Sequence, residues 1–370
     1  MTLKVFSLTT GADTGGWAGR MNDAFNQHPQ GLAPGSQGLA PQAPVSYHSM
    51  CNSDNYIEYP YDLPYSLPLL CQLYDRADVI HLHNTLHGHH FYDNGQGKPT
   101  VLIHHGILFR GSPRVVAQEA RDIGAVQICS TIDLESKELG VTWVPVPYEL
   151  DGPISSLVNR GIPESFQGLR AAYYPHKEEG KVIRIGHAPT NRAIKSTDAF
   201  LASTFALAER GLPVEAVLIE GKTHYETLRV KATCDLFMDQ LHLGYGCNAV
   251  EAWAMGIPVI AATDDPVVRK RMLDRWGVLP FVEATEATLE ATIKELVLSK
   301  DLRDDYGALG YAHARMWHDA TVVAPILTDI YQSAPMTKPG GAMKRGKPAN
   351  PMDQLALLRF KRAQEKGMGA

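Results

Sequence analysis

Gly244-Tyr-Gly-Cys-Asn-Ala-Val-Glu-Ala-Trp-Ala-Met-Gly-Ile-Pro-Val-Ile260, preceded by Asp235-Leu-Phe-Met238, has the order of a strand, a glycine turn, a helix and a second strand. Gly244 and Gly246 break the apolar run, Asn248 opens a segment of helical period, Gly256 closes it, and Pro258 to Ala261 is again strand-like. A helix between two short apolar strands is the connection that parallel neighbours need. The same alternation continues on both sides. Strands are predicted at Lys4 to Leu8, Asp78 to His83, Thr100 to His104, Ala125 to Cys129 and Thr142 to Val144, then at Val182 to Gly186, Val214 to Ile219 and Leu279 to Val282. Helices are clearest at Thr197 to Arg210, Glu286 to Leu298 and Ala320 to Tyr331. The class is therefore α/β, with two Rossmann-like domains of parallel sheet.

Length and composition agree with that reading. The 370 residues are 44% hydrophobic and 20% charged with a net charge of -5, which suits about two ordinary domains and excludes disordered, collagenous or disulfide-stapled chains. Five Cys without a C-x-x-C pair indicate neither a disulfide framework nor a zinc ribbon. No apolar run is long enough for a membrane span, so a cytoplasmic protein is expected, with any contact to a membrane or nucleic acid at its surface. The stretch Tyr148 to Gly180 is rich in Gly and Pro and marks the boundary. The expected organisation is a first domain over 1–165, a second over 175–318, a crossing helix over 319–331 and a flexible tail over 332–370. Residues 29–68 hold ten Gly or Pro in forty positions and read as a long surface loop. From Ser333 onward eight Lys and Arg face only Asp353 and Glu365, and a short amphipathic helix is predicted near Met352 to Glu365.

Ligands of open parallel sheets bind beyond the carboxyl ends of the strands, so the residues following each strand are the candidates. After the first strand, the glycine-rich turn Gly11 to Gly19, with Gly15 and Gly16, enters a helix and offers amides to an anion or sugar; the alternative is a tight turn with close packing. Seven of the fifteen His lie between 81 and 105. His81 and His83 share one strand face, which resembles half of a metal site, but no carboxylate or Cys at ligand spacing accompanies them. His83, Asn84 and His105 are read instead as polar groups at a cleft edge, with His105 against the substrate. In the second domain His187, Thr190, Arg192 and Lys195 precede a helix and suit a phosphate-bearing group; a solvated basic loop is the alternative. Glu251 either reaches a ligand or closes a capping box with Asn248 three residues before it. Gly221-Lys222-Thr223 is not a P-loop, since Ala216 stands where the first Gly is required.

Taken in order, Ala77 to His83, Lys98 to Gly106 with Arg110, Ala125 to Ser130, Lys195, and Gly244 to Ile260 resemble the retaining glycosyltransferases of the GT-B fold, the large family similar to sucrose synthases and phosphatidylinositol mannosyltransferases. The resemblance covers roughly residues 1–331. It implies two Rossmann-like domains facing across a cleft, the second binding a nucleotide-diphosphate sugar and the first mostly the acceptor. By the same resemblance Glu251 holds ribose hydroxyls, and Lys195, with Arg192 or His187, neutralises the diphosphate. Gly244, Tyr245, Gly246, Cys247 and Asn248 lie along the donor, and Gly15-Gly16 near its phosphate. His105 stands beside the reacting sugar, while His83, Asn84 and Arg110 face the acceptor. Fixed cations and helix dipoles stabilise the departing diphosphate, so no metal and no cofactor is required.

Three departures accompany the match. The family's first motif Glu is Leu243 here, the segment between Ile219 and Asp235 is short, and Thr263-Asp-Asp-Pro266 replaces the glycines after the Pro-Val-Ile strand. A hydrolysing sugar-nucleotide epimerase and a non-catalytic nucleotide-sugar binder are the competing readings. The basic tail is expected to draw an anionic acceptor, either nucleic acid or a lipid surface; a tail that only aids solubility is the alternative.

Overall fold

The computed structural model describes residues 2–9, 20–21, 25, 45–51, 67–84, 86, 97–154, 164–174 and 182–338. They form two sheets. In the first, β1 (Leu3–Thr9), β2 (Val45–Cys51), β3 (Val79–His83), β4 (Thr100–His104), β5 (Val126–Cys129) and β6 (Val141–Trp143) run parallel in the order β2-β1-β3-β4-β5-β6. Every residue of β3 and β4 is buried, as strands covered on both faces must be. The helices α1 (Leu67–Arg76), α2 (Ile107–Gly111) and α3 (Pro113–Ile123) belong to this half.

The second sheet holds β7 (Ile183–His187), β8 (Val214–Leu218), β9 (Leu236–Met238), β10 (Leu243–Gly244), β11 (Val259–Thr263) and β12 (Val282–Glu283). Its path is β10-β11-β9-β7-β8 with β12 on β11, and only the short β10 is antiparallel. Helix α4 (Phe166–Tyr173) precedes it, and α5 (Thr197–Glu209), α6 (His224–Ala232), α7 (Cys247–Ala254), α8 (Pro266–Trp276), α9 (Leu289–Leu298) and α10 (Lys300–His313) connect or cover its strands. A π-helical turn at Ala314–His318 then redirects the chain into α11 (Ala320–Ser333), which returns to the first sheet, where the Tyr331 hydroxyl bonds His81 Nδ1 at 2.7 Å.

Four sequence expectations need correcting. The long surface loop at 29–68 contains β2, an edge strand paired with β1 along its whole length; the Gly and Pro lie on either side of Val45–Cys51 and hide it. Among the described residues each half has six strands rather than five. The Gly- and Pro-rich boundary contains α4, capped by Ser165 and fixed to the second half by Arg170 bonds to the carbonyls of Ala232 and Cys234. The tail begins later than 332: Pro99 pairs with Met336, and Lys338 donates to the Ile123 carbonyl, so 334–338 are laid on the first half. The helix expected near Met352 to Glu365 lies outside the described residues, as do Gly15 and Gly16.

Helix α10 presses on α7 through glycine. A methyl on Gly307 would stand 2.6 Å from the Gly256 carbonyl oxygen, and one on Gly310 would overlap the fully buried Trp253 indole. Gly310→Ala is expected to lower the thermal midpoint, because overpacking costs about 1–3 kcal/mol against the ~1 kcal/mol that Ala gains over Gly inside a helix. A midpoint at or above the parent's in a thermal melt would contradict this packing.

Candidate active site

Several contacts cross between the two halves. The Tyr148 hydroxyl donates to the Cys247 carbonyl at 3.2 Å, Arg271 to the Ile132 carbonyl at 2.9 Å, and Arg275 to Glu135 at 3.0 Å. The deepest is an ion pair between Arg20, in the helical turn after β1, and Glu251 on α7, at 2.9 Å.

On the first sheet, the ends of β3, β4 and β5 bring His83, Asn84, His105 and Ser130 together. Asn84 adopts the left-handed conformation, φ 64°, and its side-chain oxygen accepts the His105 backbone N–H at 2.8 Å, tying two strand ends. Left-handed backbone is tolerated by Asn better than by most residues. The His81 and His83 rings stack at 4.9 Å and the His83 and His105 rings at 5.1 Å. His83 Nδ1 meets His105 Nε2 at 2.9 Å, His83 Nε2 meets the Ser7 hydroxyl at 3.0 Å, and His105 Nδ1 meets the Ser130 hydroxyl at 3.1 Å. Burial, reinforced by neighbouring imidazoles, lowers His81 and His105 to about 3 and His83 well below its ordinary value. The column is therefore neutral at physiological pH. The rings thus form one hydrogen-bonded array running from Ser7 to Ser130. At Gly106, φ 127° excludes a side chain, and the Arg110 guanidinium lies over that backbone while Nε donates to Asp133 at 2.7 Å.

On the second sheet, the start of α7 is the focus. Asp239, buried at the end of β9, accepts from Lys195 Nζ at 2.7 Å and from the Gly246 amide at 2.5 Å. Gly244 has φ 85°, which a glycine adopts without strain. Asn248 donates to the Ala188 carbonyl at 2.9 Å, and its side-chain oxygen accepts from Lys231 at 2.9 Å. It does not cap α7: the N-cap is Gly246 with no side-chain cap bond, and the capping-box alternative for Glu251 is not formed. A capping box does exist at Thr223 and Glu226, at the start of α6.

Glu251 instead centres a buried charge cluster. Its Oε1 accepts from Arg20 at 2.9 Å and His224 Nε2 at 3.0 Å, and its Oε2 from Lys231 at 2.7 Å. Burial pushes its carboxyl up, but Lys231, His224 and Arg20 outweigh that and hold it well below the usual range.

Other candidate side chains lie elsewhere. Arg192 grips Glu220 through two bonds, of 2.9 and 2.5 Å, with its side chain 54% exposed, and stands apart from the Lys195 and Glu251 clusters. The exposed Thr190 lies on the same loop. His187 and Tyr245 point inward: His187 donates from Nδ1 to the Met238 carbonyl at 2.8 Å and shares a 2.9 Å bond with Thr197, while Tyr245 bonds His318 at 2.9 Å within an aromatic cluster. Their side chains serve the scaffold. Sequence reasoning missed Arg20, Lys231, His224 and Asp239. Lys231 lies three residues after the buried Leu228 on the inward stripe of α6, and a cation on an apolar stripe signals a partner.

No family model matches the chain, and no curated protein matches it. Solved structures do. One is Anabaena Alr3699/HepE in complex with UDP and glucose, with a TM-score of 0.55 at 16% identity over 90% of this chain and 100% of that one. An α-glucosyltransferase in complex with UDP and a 13-mer DNA containing an HMU base gives a TM-score of 0.58 at 12% identity over the same shares. The fold is GT-B. A glycosyltransferase from Rickettsia africae ESF-5 also aligns, with a TM-score of 0.55 at 8% identity over 90% and 98%. Within that fold the charge clusters of Asp239 and Glu251 lie on the second half and the histidine column on the first.

Proposed function

We propose that the chain is a retaining glycosyltransferase that moves a sugar from a nucleotide-diphosphate donor to an acceptor hydroxyl without a divalent metal. The observation that carries this is the anion-seeking end of α7, where the Lys195 ammonium and the Gly246 amide hold one carboxylate and Glu251 lies five residues further along the helix. Support also comes from the ligands of the structural neighbours, which include UDP, glucose and UDP-glucose. A uridine diphosphate sugar is the donor to test first.

When the glycosidic bond to the donor breaks, negative charge gathers on the diphosphate. An ammonium and helix amides already aimed at that position stabilise it without reorganising. An ammonium carries three donors, so Lys195 can keep Asp239 and still meet a phosphate oxygen. The acceptor attacks from the face the diphosphate leaves, and the departing phosphate oxygen takes its proton, so no side-chain nucleophile is invoked. A histidine lowered to about 3 is a poor base near neutrality, which assigns His105 to orientation. The basic residues after Lys338 would draw an anionic acceptor.

Lys195→Ala and Glu251→Ala are each expected to lower turnover or donor affinity at least tenfold, about 1.4 kcal/mol. The measurement is a donor panel with a chelator present, read by mass spectrometry against mixed acceptors including modified DNA. Parental rates in both variants would remove these residues from the site. Nucleoside diphosphate released with epimerised sugar and no acceptor would establish the epimerase reading instead.

A further inference from the structure

Glu251 belongs to the second half, yet one of its three bonds comes from the first. A carboxylate offers about four lone-pair positions on two oxygens. Arg20, His224 and Lys231 occupy three of them. A ribose diol placed on Glu251 takes two, so one present donor has to leave.

The surroundings decide which. Lys231 is fully enclosed and also bonds the Asn248 side-chain oxygen, so withdrawing it would strand an ammonium against the Phe237 ring, 4.7 Å away. His224 opens α6 directly after the Thr223 cap, inside the Thr223–Glu226 capping box that fixes its backbone. Arg20 is a long side chain reaching across from the other half, with its guanidinium stacked 3.7 Å from the centre of the Tyr148 ring. The Tyr148 hydroxyl bonds the Cys247 carbonyl, so a guanidinium turning on that ring stays beside the first turn of α7, where Lys195 and Gly246 hold Asp239.

We propose that Arg20 is an exchange residue for the donor: the ribose displaces it from Glu251, and it then binds the diphosphate from the side of the first domain. This rests on the nucleotide-sugar reading above. Before the donor enters, Arg20 joins Lys231 and His224 in holding the carboxylate ionised; afterwards it opposes Lys195 across the diphosphate, so that both domains hold the leaving group. Arginine suits the task because its planar fork matches carboxylate and phosphate alike.

The test is calorimetric titration of UDP, GDP and ADP and of their parent nucleosides into the wild-type full chain, Arg20→Met and Arg20→Lys, each checked for cooperative unfolding. For the base that binds, Arg20→Met should lose at least tenfold in diphosphate affinity while the nucleoside binds equally or more tightly, because its competitor for Glu251 is gone. Arg20→Lys should lose less for the diphosphate, and carries the comparison if the Met variant fails to fold. Equal weakening of nucleoside and diphosphate would make Arg20 a structural residue and overturn the proposal. Unchanged diphosphate affinity would overturn it as well. A wild-type protein that binds no nucleotide fails the glycosyltransferase reading itself, a different outcome.

Discussion

Lys231→Met is expected to lower the free energy of unfolding by about 3–5 kcal/mol, the usual result of removing one partner from a buried charge pair. Methionine keeps the length of the lysine stem, so the loss is electrostatic and not a cavity. Lys231 is completely buried, and its ammonium bonds Glu251 at 2.7 Å and the Asn248 side chain at 2.9 Å. Without it, burial of the Glu251 carboxylate is opposed only by Arg20 and His224, and the carboxyl titrates closer to neutrality. The contrast is Lys270→Met, whose partner Asp274 lies one turn away with the two side chains 74% and 64% exposed. Pairs of that kind contribute about 0.3–0.5 kcal/mol. Added salt should weaken the surface pair and leave the buried one nearly unchanged. Chemical denaturation of both variants at neutral pH makes the comparison, and a Lys231→Met value within about 0.5 kcal/mol of the parent would mean that the cluster is not the fixed point described here. The double variant Lys231→Met/Glu251→Gln should recover part of the loss, since removing both charges removes the uncompensated one.

What could be read in advance follows from how far apart the interacting residues lie in the chain. β3, β4 and β5 are compact apolar runs, and alternation alone placed His81 and His83 on one face, where their rings stack at 4.9 Å. The helix from Thr197 was legible in the same way, from local periodicity. Lys195 could be proposed because it precedes a helix and follows a strand by a few residues. By contrast, Arg20 meets Glu251 across 231 positions and Tyr331 meets His81 across 250, and no spacing rule links residues so far apart. The capping box offered for Asn248 and Glu251 fails for a related reason: the cap of α7 is Gly246, whose amide Asp239 takes from the neighbouring strand end. β2 escaped notice because Gly and Pro crowd both its flanks, and edge strands tolerate such surroundings better than central ones.

Acidification from pH 7.5 to pH 5 is expected to destabilise the protein by about 2 kcal/mol for each buried, neutral histidine. Burial first, then neighbouring cations or imidazoles, lowers His81 to about 3 and His318 to about 4, and burial lowers His104 to about 4. His83 and His313 shift in the same direction. The hydrogen bonds explain why these rings stay neutral. His318 donates from Nδ1 to the Val146 carbonyl at 2.9 Å and has the Tyr245 hydroxyl on its other nitrogen, and His104 bonds the Gln127 oxygen at 3.1 Å while its Nδ1 is buried with no partner among the described residues. Between these lowered values and the ordinary 6.5, the unfolded chain holds protons that the native chain refuses, so stability falls as pH drops through that window and is complete above it. Glu251 acts in the same sense at lower pH, since a carboxyl held down by cations gives stability that is lost on protonation. The slope of unfolding free energy against pH near 5 should therefore exceed that of one proton, about 1.4 kcal/mol per pH unit, at least threefold. His104→Leu, which deletes one such ring and fills its place with an apolar chain, should reduce the slope by about one proton's worth. Denaturation midpoints that are flat or rising between pH 7 and 5 would show that the histidines are protonated in the native state, and the neutral column from Tyr331 to Ser130 would have to be redrawn with charge in it.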